Sequence, residues 1–232
     1  MEDAPVALVT GTRKGLGKYL ALQFLSRSYR VVGCSRQPAE WSHQGYQHVC
    51  ADVGDEAQVR GLFKEVRKLG RLDVTVNNAG VASMNHSLLT PVDTVERIMR
   101  TNFQGTFLVS KESVKVMRKG KAGRIVNLST IAVPMVLEGE SIYAASKSAV
   151  ETLTKVMSRE LAGFGITVNA IGPTPIETDL IKGVPKDKID AIIEHLAIKR
   201  LGKPEDVWNV LEFLIRPESD YVTGQVIYLG GA

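Results

Sequence analysis

The chain has 232 residues, a mass of 25.3 kDa and 29 basic against 25 acidic side chains, a formal charge of +4. That length suits one large domain and excludes a repeat array or a disulfide-stapled miniature. Hydrophobic residues make up 44% and aromatics only 6%, so the core has to be built from Val, Ile, Leu and Ala. Charges of both signs are interspersed, so the pI of about 9.0 reads as a mixed solvated surface, with no expectation of nucleic acid. No apolar run approaches the ~18 residues that cross a bilayer, and Met1-Glu2-Asp3 lacks a basic leader, which predicts a soluble cytoplasmic protein. Cys34 and Cys50 have no ligand spacing, and His43, His48, His86 and His195 form no i, i+4 pair, so no metal is expected.

In chain order, strand-like runs fall at Val6 to Val9, Val31-Val32, Val49 to Ala51, Val74 to Val76, Ile125 to Leu128, Ile166 to Ile171 and Val226 to Leu229. They read as strands buried on both faces. Between them, Val59, Leu62, Phe63, Val66 and Leu69 form one helical stripe, and Ala149, Val150, Leu153, Val156, Met157 and Leu161 form another. Alternating strands and helices predict a single α/β domain spanning residues 1–232, a doubly wound seven-stranded parallel sheet with helices on both faces. In such sheets ligands sit beyond the carboxyl ends of the strands, so the chemistry is sought there.

After the first strand comes Thr10-Gly11-Thr12-Arg13-Lys14-Gly15-Leu16-Gly17, and then an apolar helix. Glycines let the backbone approach a pyrophosphate, whose charge the helix N-terminus attracts. The spacing is GxxxGxG and not the common GxGxxG, so a tight turn with no ligand is the competing reading. About 20 residues on, where an NAD enzyme places an acid for the ribose 2′-hydroxyl, stands Ser35-Arg36. Arg36 and Lys14 supply positive charge suited to a 2′-phosphate, or Arg36 is an ordinary exposed arginine. Asp52, after the third strand, accepts a hydrogen bond from an adenine amino group or opens the next helix.

Tyr143 and Lys147, at i, i+4, share one face of the long helix that they begin, 13 residues beyond Thr130, which is expected to end a strand. The spacing alone recurs by chance, and its position gives it force. An ammonium ~6 Å from the phenol at an effective dielectric near 20 favours the phenolate by roughly 3 kcal/mol, about 2 pKa units, bringing the phenol towards acid-base range.

Taken jointly, Thr10 to Gly17, Asn77-Asn78-Ala79-Gly80, Thr101-Asn102, Gly123 to Thr130, Tyr143-x-x-x-Lys147, Gly165 to Ile171, Arg200 to Asp206 and Val222 to Gln225 resemble the short-chain dehydrogenase/reductase family across essentially the whole chain. The nearest resemblance is to its 3-oxoacyl-acyl-carrier-protein reductases. It implies an NADP(H)-dependent oxidoreductase, in fatty acid biosynthesis if the carrier-protein group applies. Tyr143 would donate the proton, Lys147 would assist it and hold the nicotinamide ribose, and Asn102 would anchor a water. Thr130 would position the substrate. Cofactor contacts would come from Gly11, Arg13, Lys14, Gly15, Leu16, Gly17, Arg36, Asp52, Val53, Asn78, Ala79, Gly80, Tyr143, Lys147, Pro173, Ile176 and Thr178. Without the resemblance, Asn102 reads as a helix cap and Asn77-Asn78 as a turn.

Three positions depart from the family pattern. Thr130, preceded by Ser129, aligns with the usual serine; Pro173-Thr174 replaces Pro-Gly; and Phe164 stands where carrier-protein reductases often carry a basic residue. The alternatives are therefore a sugar, polyol or steroid alcohol dehydrogenase, or a catalytically silent NADP-binding regulator. Lys115, Arg118, Lys119, Lys121 and Arg124 cluster around a predicted helix end. They read as solvated charges that complement the macrodipole or as a dock for an acidic acyl carrier protein. The Tyr143 helix would also supply a homodimer or homotetramer interface. Val133 to Ile142 and Ile181 to Leu196 are where specificity should reside.

Overall fold

A computed structural model describes residues 4–177 and 186–232. Seven parallel strands, β1 (Val6–Thr10), β2 (Arg30–Ser35), β3 (Tyr46–Cys50), β4 (Val74–Asn77), β5 (Gly123–Leu128), β6 (Ile166–Gly172) and β7 (Val226–Tyr228), form one sheet in the order β3-β2-β1-β4-β5-β6-β7. The order reverses between β1 and β4, which opens a crevice at their carboxyl ends.

Alternation along each strand divides the core into two layers. Val6 and Leu8 of β1 pack with Val59, Leu62, Phe63 and Val66 of α2 (Glu56–Lys68) on one face. Ala7 and Val9 pack on the other face with Leu20 and Phe24 of α1 (Gly15–Ser26) and with Trp208 and Leu211 of a C-terminal helix. Asp55 fixes the start of α2 by accepting from the Ala57 and Gln58 amides, and Arg67 and Lys68 complement its end.

Two expectations are corrected. The edge strands β3 and β7 are only partly buried, because each has a neighbour on one side alone. No helix joins β2 to β3, so strand and helix do not alternate strictly. Residues 36–45 cross instead as an irregular segment, in which Trp41 stacks on Tyr46 with ring centroids 4.0 Å apart and donates Nε1–H to Thr12 O at 2.9 Å. The two rings cover apolar surface that a crossover helix would otherwise cover.

The remaining elements carry the site. α3 (Val92–Met99) runs through a π-helical turn at Arg100–Gln104 into α4 (Gly105–Met117). The short α5 (Ala132–Met135) follows β5, and α6 (Ser141–Leu161) packs back on β6. α7 (Lys186–His195) and α8 (Pro204–Ile215) precede β7. Among the described residues no helix is long and apolar enough to cross a membrane.

Candidate active site

A cleft of about 460 Å³ lies at the carboxyl ends of the strands. Its first wall is the glycine turn. Gly11 has φ +76°, and a Cβ there would stand 2.8 Å from Asn78 Nδ2; a Cβ on Gly17 would fall 2.2 Å from Gly11 O. Only glycine permits this closeness, so β1, α1 and the Asn78 loop meet in a backbone-lined cradle. Asn78 braces it, donating from Nδ2 to Thr10 O at 2.7 Å. α1 has no capping side chain and no acid in its first turn, unlike α2, so its amides remain available to an anion. The pyrophosphate of a nicotinamide dinucleotide fits this donor set.

Beside the turn, the amides of Gly11 and Thr12 both donate to Cys34 O, at 2.8 and 3.2 Å, so β2's end abuts the cradle. Arg36, two residues on, is exposed, and Lys14 is exposed at the cleft wall. Arg13 points elsewhere and pairs with Glu40 at 2.9 Å.

At the opposite wall β5 ends at Leu128, and Thr130 lies two residues beyond it, opposite α6. The Thr130 hydroxyl accepts from Ala132 N at 3.2 Å and lies close enough to Tyr143 to act on its phenol, while Ser129 donates to the buried Glu151 carboxylate, which also accepts from Tyr228 OH at 2.8 Å. Lys147 Nζ donates to Leu128 O at 2.7 Å and stands 5.9 Å from the centroid of the Tyr143 ring. These side chains share the cleft because an i, i+4 pair on α6 faces the end of β5.

Burial overrides the ammonium effect expected from the sequence. Tyr143 is pushed up to about 12 by desolvation, which the Thr130 hydrogen bond partly offsets and the nearby Glu140 charge reinforces. Lys147 is drawn down to about 8 by desolvation. The phenol therefore stays protonated at neutral pH, the state required of a proton donor.

Asn102 is no helix cap. It sits inside the π-helical turn, where its Nδ2 donates to Val81 O at 2.9 Å and to Ser146 Oγ at 3.0 Å, and its Oδ1 accepts from Val81 N at 2.9 Å. Both side-chain donors are thus consumed, one tying the π-helical turn to the loop after β4 and the other to α6. A Cβ on Gly80 would lie 3.4 Å from Asn102 Oδ1 and 3.5 Å from Lys147 Nζ, which places all three residues together. Asn77 is structural, its Nδ2 donating to Ser110 Oγ and Asn127 Oδ1 at 2.9 and 2.8 Å.

Of the residues expected from the sequence, Gly11, Lys14, Gly15, Leu16, Gly17, Asn78, Ala79, Gly80, Thr130, Tyr143, Lys147, Pro173 and Ile176 line the cleft. Val53 does not: it is buried against Gly105, whose added Cβ would stand 2.7 Å from Val53 Cγ2. Asp52 closes a turn by accepting from Gly54 N at 2.9 Å and stands 3.9 Å from Arg100. Thr178 lies outside the described residues. Thr174, where the family has glycine, turns its side chain towards Gly202 and Gly230; a Cβ on Gly202 would meet its Oγ1 at 2.5 Å. Glu140 was missed as a site residue, although it falls in the segment expected to hold specificity. Its signal is an acid three residues before Tyr143.

A family model described as enoyl-(acyl carrier protein) reductase matches residues 11–231. The chain belongs to the short-chain dehydrogenase/reductase family. It is 31% identical to a 3-oxoacyl-[acyl-carrier-protein] reductase of Vibrio harveyi over 99% of this chain and 97% of that protein. It is 35% identical to a short-chain type dehydrogenase/reductase of Picea abies, over 97% and 91%. Among solved structures of short-chain reductases, a Brucella melitensis 3-ketoacyl-(acyl-carrier-protein) reductase complexed with NADH superposes with a TM-score of 0.91 at 26% identity, covering 100% and 99% of the two chains. A ligand-free Thermoplasma acidophilum aldohexose dehydrogenase superposes at 0.89 with 28% identity, covering 99% and 94%.

Proposed function

We propose that this short-chain oxidoreductase uses NADP(H) to reduce a ketone to a secondary alcohol. The observation that carries the reading is the convergence of Thr130, Tyr143 and Lys147 on a cleft whose far wall is the uncapped N-terminus of α1. A bound nicotinamide supplies the hydride. Thr130 orients the carbonyl, and Tyr143 O–H gives its proton to the oxygen as negative charge develops there. Lys147, 5.9 Å from the phenol ring, stabilises the phenolate left behind. Lys14 and Arg36 favour the 2′-phosphate of NADPH, and Arg36 has no partner among the described residues.

The relatives' names supply 3-oxoacyl thioesters as the first substrate class. The basic cluster gives no support to carrier-protein docking at the cleft. Lys119, Lys121 and Arg124 flank the start of β5, and the cleft opens beyond its end. Six residues of strand separate the two by about 20 Å. Lys115 is also engaged with Glu112, which it shares with Arg67. A carrier-protein substrate would therefore enter from the cleft side. A second reading, a sugar or polyol dehydrogenase, is favoured by the acid at the cleft wall, Glu140, and by the likeness to an aldohexose dehydrogenase. Self-association is proposed through α4 and α6, where Phe107 and Val156 are exposed. Following NADPH absorbance against a panel of 3-oxoacyl thioesters, aldoses and hydroxyketones tests the reading; turnover of none of them by either cofactor overturns it.

A further inference from the structure

Glu140 occupies the N-cap of α6, where an acidic side chain ordinarily accepts hydrogen bonds from the first helical amides. It makes no such bond. Its backbone is held firmly, with its amide donating to Leu137 O at 3.2 Å and its carbonyl accepting from Ala144 N at 2.7 Å. The side chain lines the cleft instead; among the described residues neither carboxyl oxygen has a hydrogen-bond partner, and with Oε2 shut off from solvent Oε1 is the oxygen open to the cleft. Val81, Met84, Ile131 and Leu137 are apolar members of the same lining, and Met84 packs beside the preceding residue, its Cγ 3.1 Å from where a Cβ on Gly139 would stand. Burying an unsatisfied carboxyl oxygen is costly, and no described residue offsets that cost with a hydrogen bond. Glu140 and Tyr143 stand three residues apart at the start of α6 and both line the cleft, so a group that meets the carboxyl lies beside the carbonyl that Tyr143 serves.

We infer that Glu140 is a specificity-determining residue whose carboxyl accepts a hydrogen bond from a hydroxyl on the substrate, next to the carbonyl that is reduced. The substrate class is then a hydroxyketone or a polyhydroxylated carbonyl compound. A hydroxyl suits this site better than an ammonium. Burial lifts the carboxyl to about 7, so both of its protonation states occur near neutrality. A hydroxyl donates to the ionised form and also accepts from the neutral one, whereas an ammonium requires the ionised form. This inference rests on the carbonyl-reductase reading and narrows it.

The test compares hydroxyacetone with 2-butanone, in which a methyl replaces the hydroxyl at nearly constant shape. NADPH oxidation is followed for wild type, Glu140→Gln and Glu140→Leu, and each variant is also melted. Wild type should favour hydroxyacetone in kcat/KM by roughly 10- to 100-fold. In Glu140→Leu the ratio should fall towards one, mainly through a raised KM for hydroxyacetone. Glu140→Gln, which keeps an acceptor, should lie between. Both variants should melt no lower than wild type, since a buried charge is removed, whereas a purely structural role would lower Tm. A wild type without preference, or an unchanged ratio in either variant while both ketones are reduced, overturns the inference and leaves the reductase reading standing. No reduction of either ketone overturns the inference, and failure across the wider carbonyl panel as well overturns the reductase reading.

Discussion

Ser129 donates its hydroxyl to the Glu151 carboxylate, whereas Thr130 beside it accepts from Ala132 N at 3.2 Å and lies near Tyr143. Both residues lie beyond the end of β5 and both face α6, Ser129 meeting Glu151 and Thr130 lying near Tyr143 two turns earlier. We assign the hydroxyl that faces the reaction to Thr130, because the Ser129 hydroxyl is already committed to Glu151. Thr130→Val keeps the shape and removes the hydroxyl, and it should lower kcat by roughly 10- to 1000-fold. Thr130→Ser should be mild. Ser129→Ala should cost stability through the unsatisfied Glu151 more than it costs turnover, which parallel melting and steady-state assays would separate.

Tyr143→Phe should lower kcat by roughly 10²- to 10⁴-fold and leave the NADPH Kd nearly unchanged, because only the transferable proton is lost. Near-normal turnover in that variant would refute the role of Tyr143.

Cofactor choice should follow charge at the end of β2. Arg36 is exposed and free of partners among the described residues, so Arg36→Asp should raise the KM for NADPH by roughly 10- to 100-fold while sparing NADH. Equal kcat/KM for both cofactors in wild type would remove the basis for this expectation. Arg13→Ala should matter less, since Arg13 is engaged with Glu40.

The pH dependence follows from burial. Lys147 has its folded pKa lowered to about 8 from an ordinary 10.5, so its charge is lost as pH rises through about 8, while Tyr143 stays protonated until about 12. The kcat/KM for ketone reduction should therefore decline on an alkaline limb near 8 in the free enzyme. For stability the sign is opposite to that of a paired lysine. The ammonium destabilises the fold fully below about pH 8, and the penalty is relieved as pH rises towards 10.5. Lys147→Met should accordingly raise Tm at pH 7 and abolish activity, a combination that thermal melts and NADPH assays read directly.

If an acyl carrier protein is a substrate carrier, Lys121→Glu and Arg124→Glu should leave its kcat/KM within about twofold, because these residues flank the amino end of β5. A large salt-sensitive loss would move the docking surface to that end.

The sequence by itself determined the parallel sheet and where its candidate site residues fall along the chain. Val6 to Val9 could only be an interior strand, the following glycines only a tight turn into a helix, and Tyr143 with Lys147 only neighbours on one helical face. Each of these depends on contacts within a few residues, where periodicity and sterics suffice. The tertiary structure decided what depends on distant partners. Ser129 differs from Thr130 because Glu151 waits 22 residues away. Asn102 changes from an apparent cap to a cross-brace because Val81 and Ser146 meet it in a π-helical turn. Trp41 replaces a crossover helix by stacking on Tyr46. The opposed pKa shifts of Tyr143 and Lys147 are likewise invisible in their spacing, because desolvation depends on everything packed around a group and outweighs the pairwise attraction that spacing suggests.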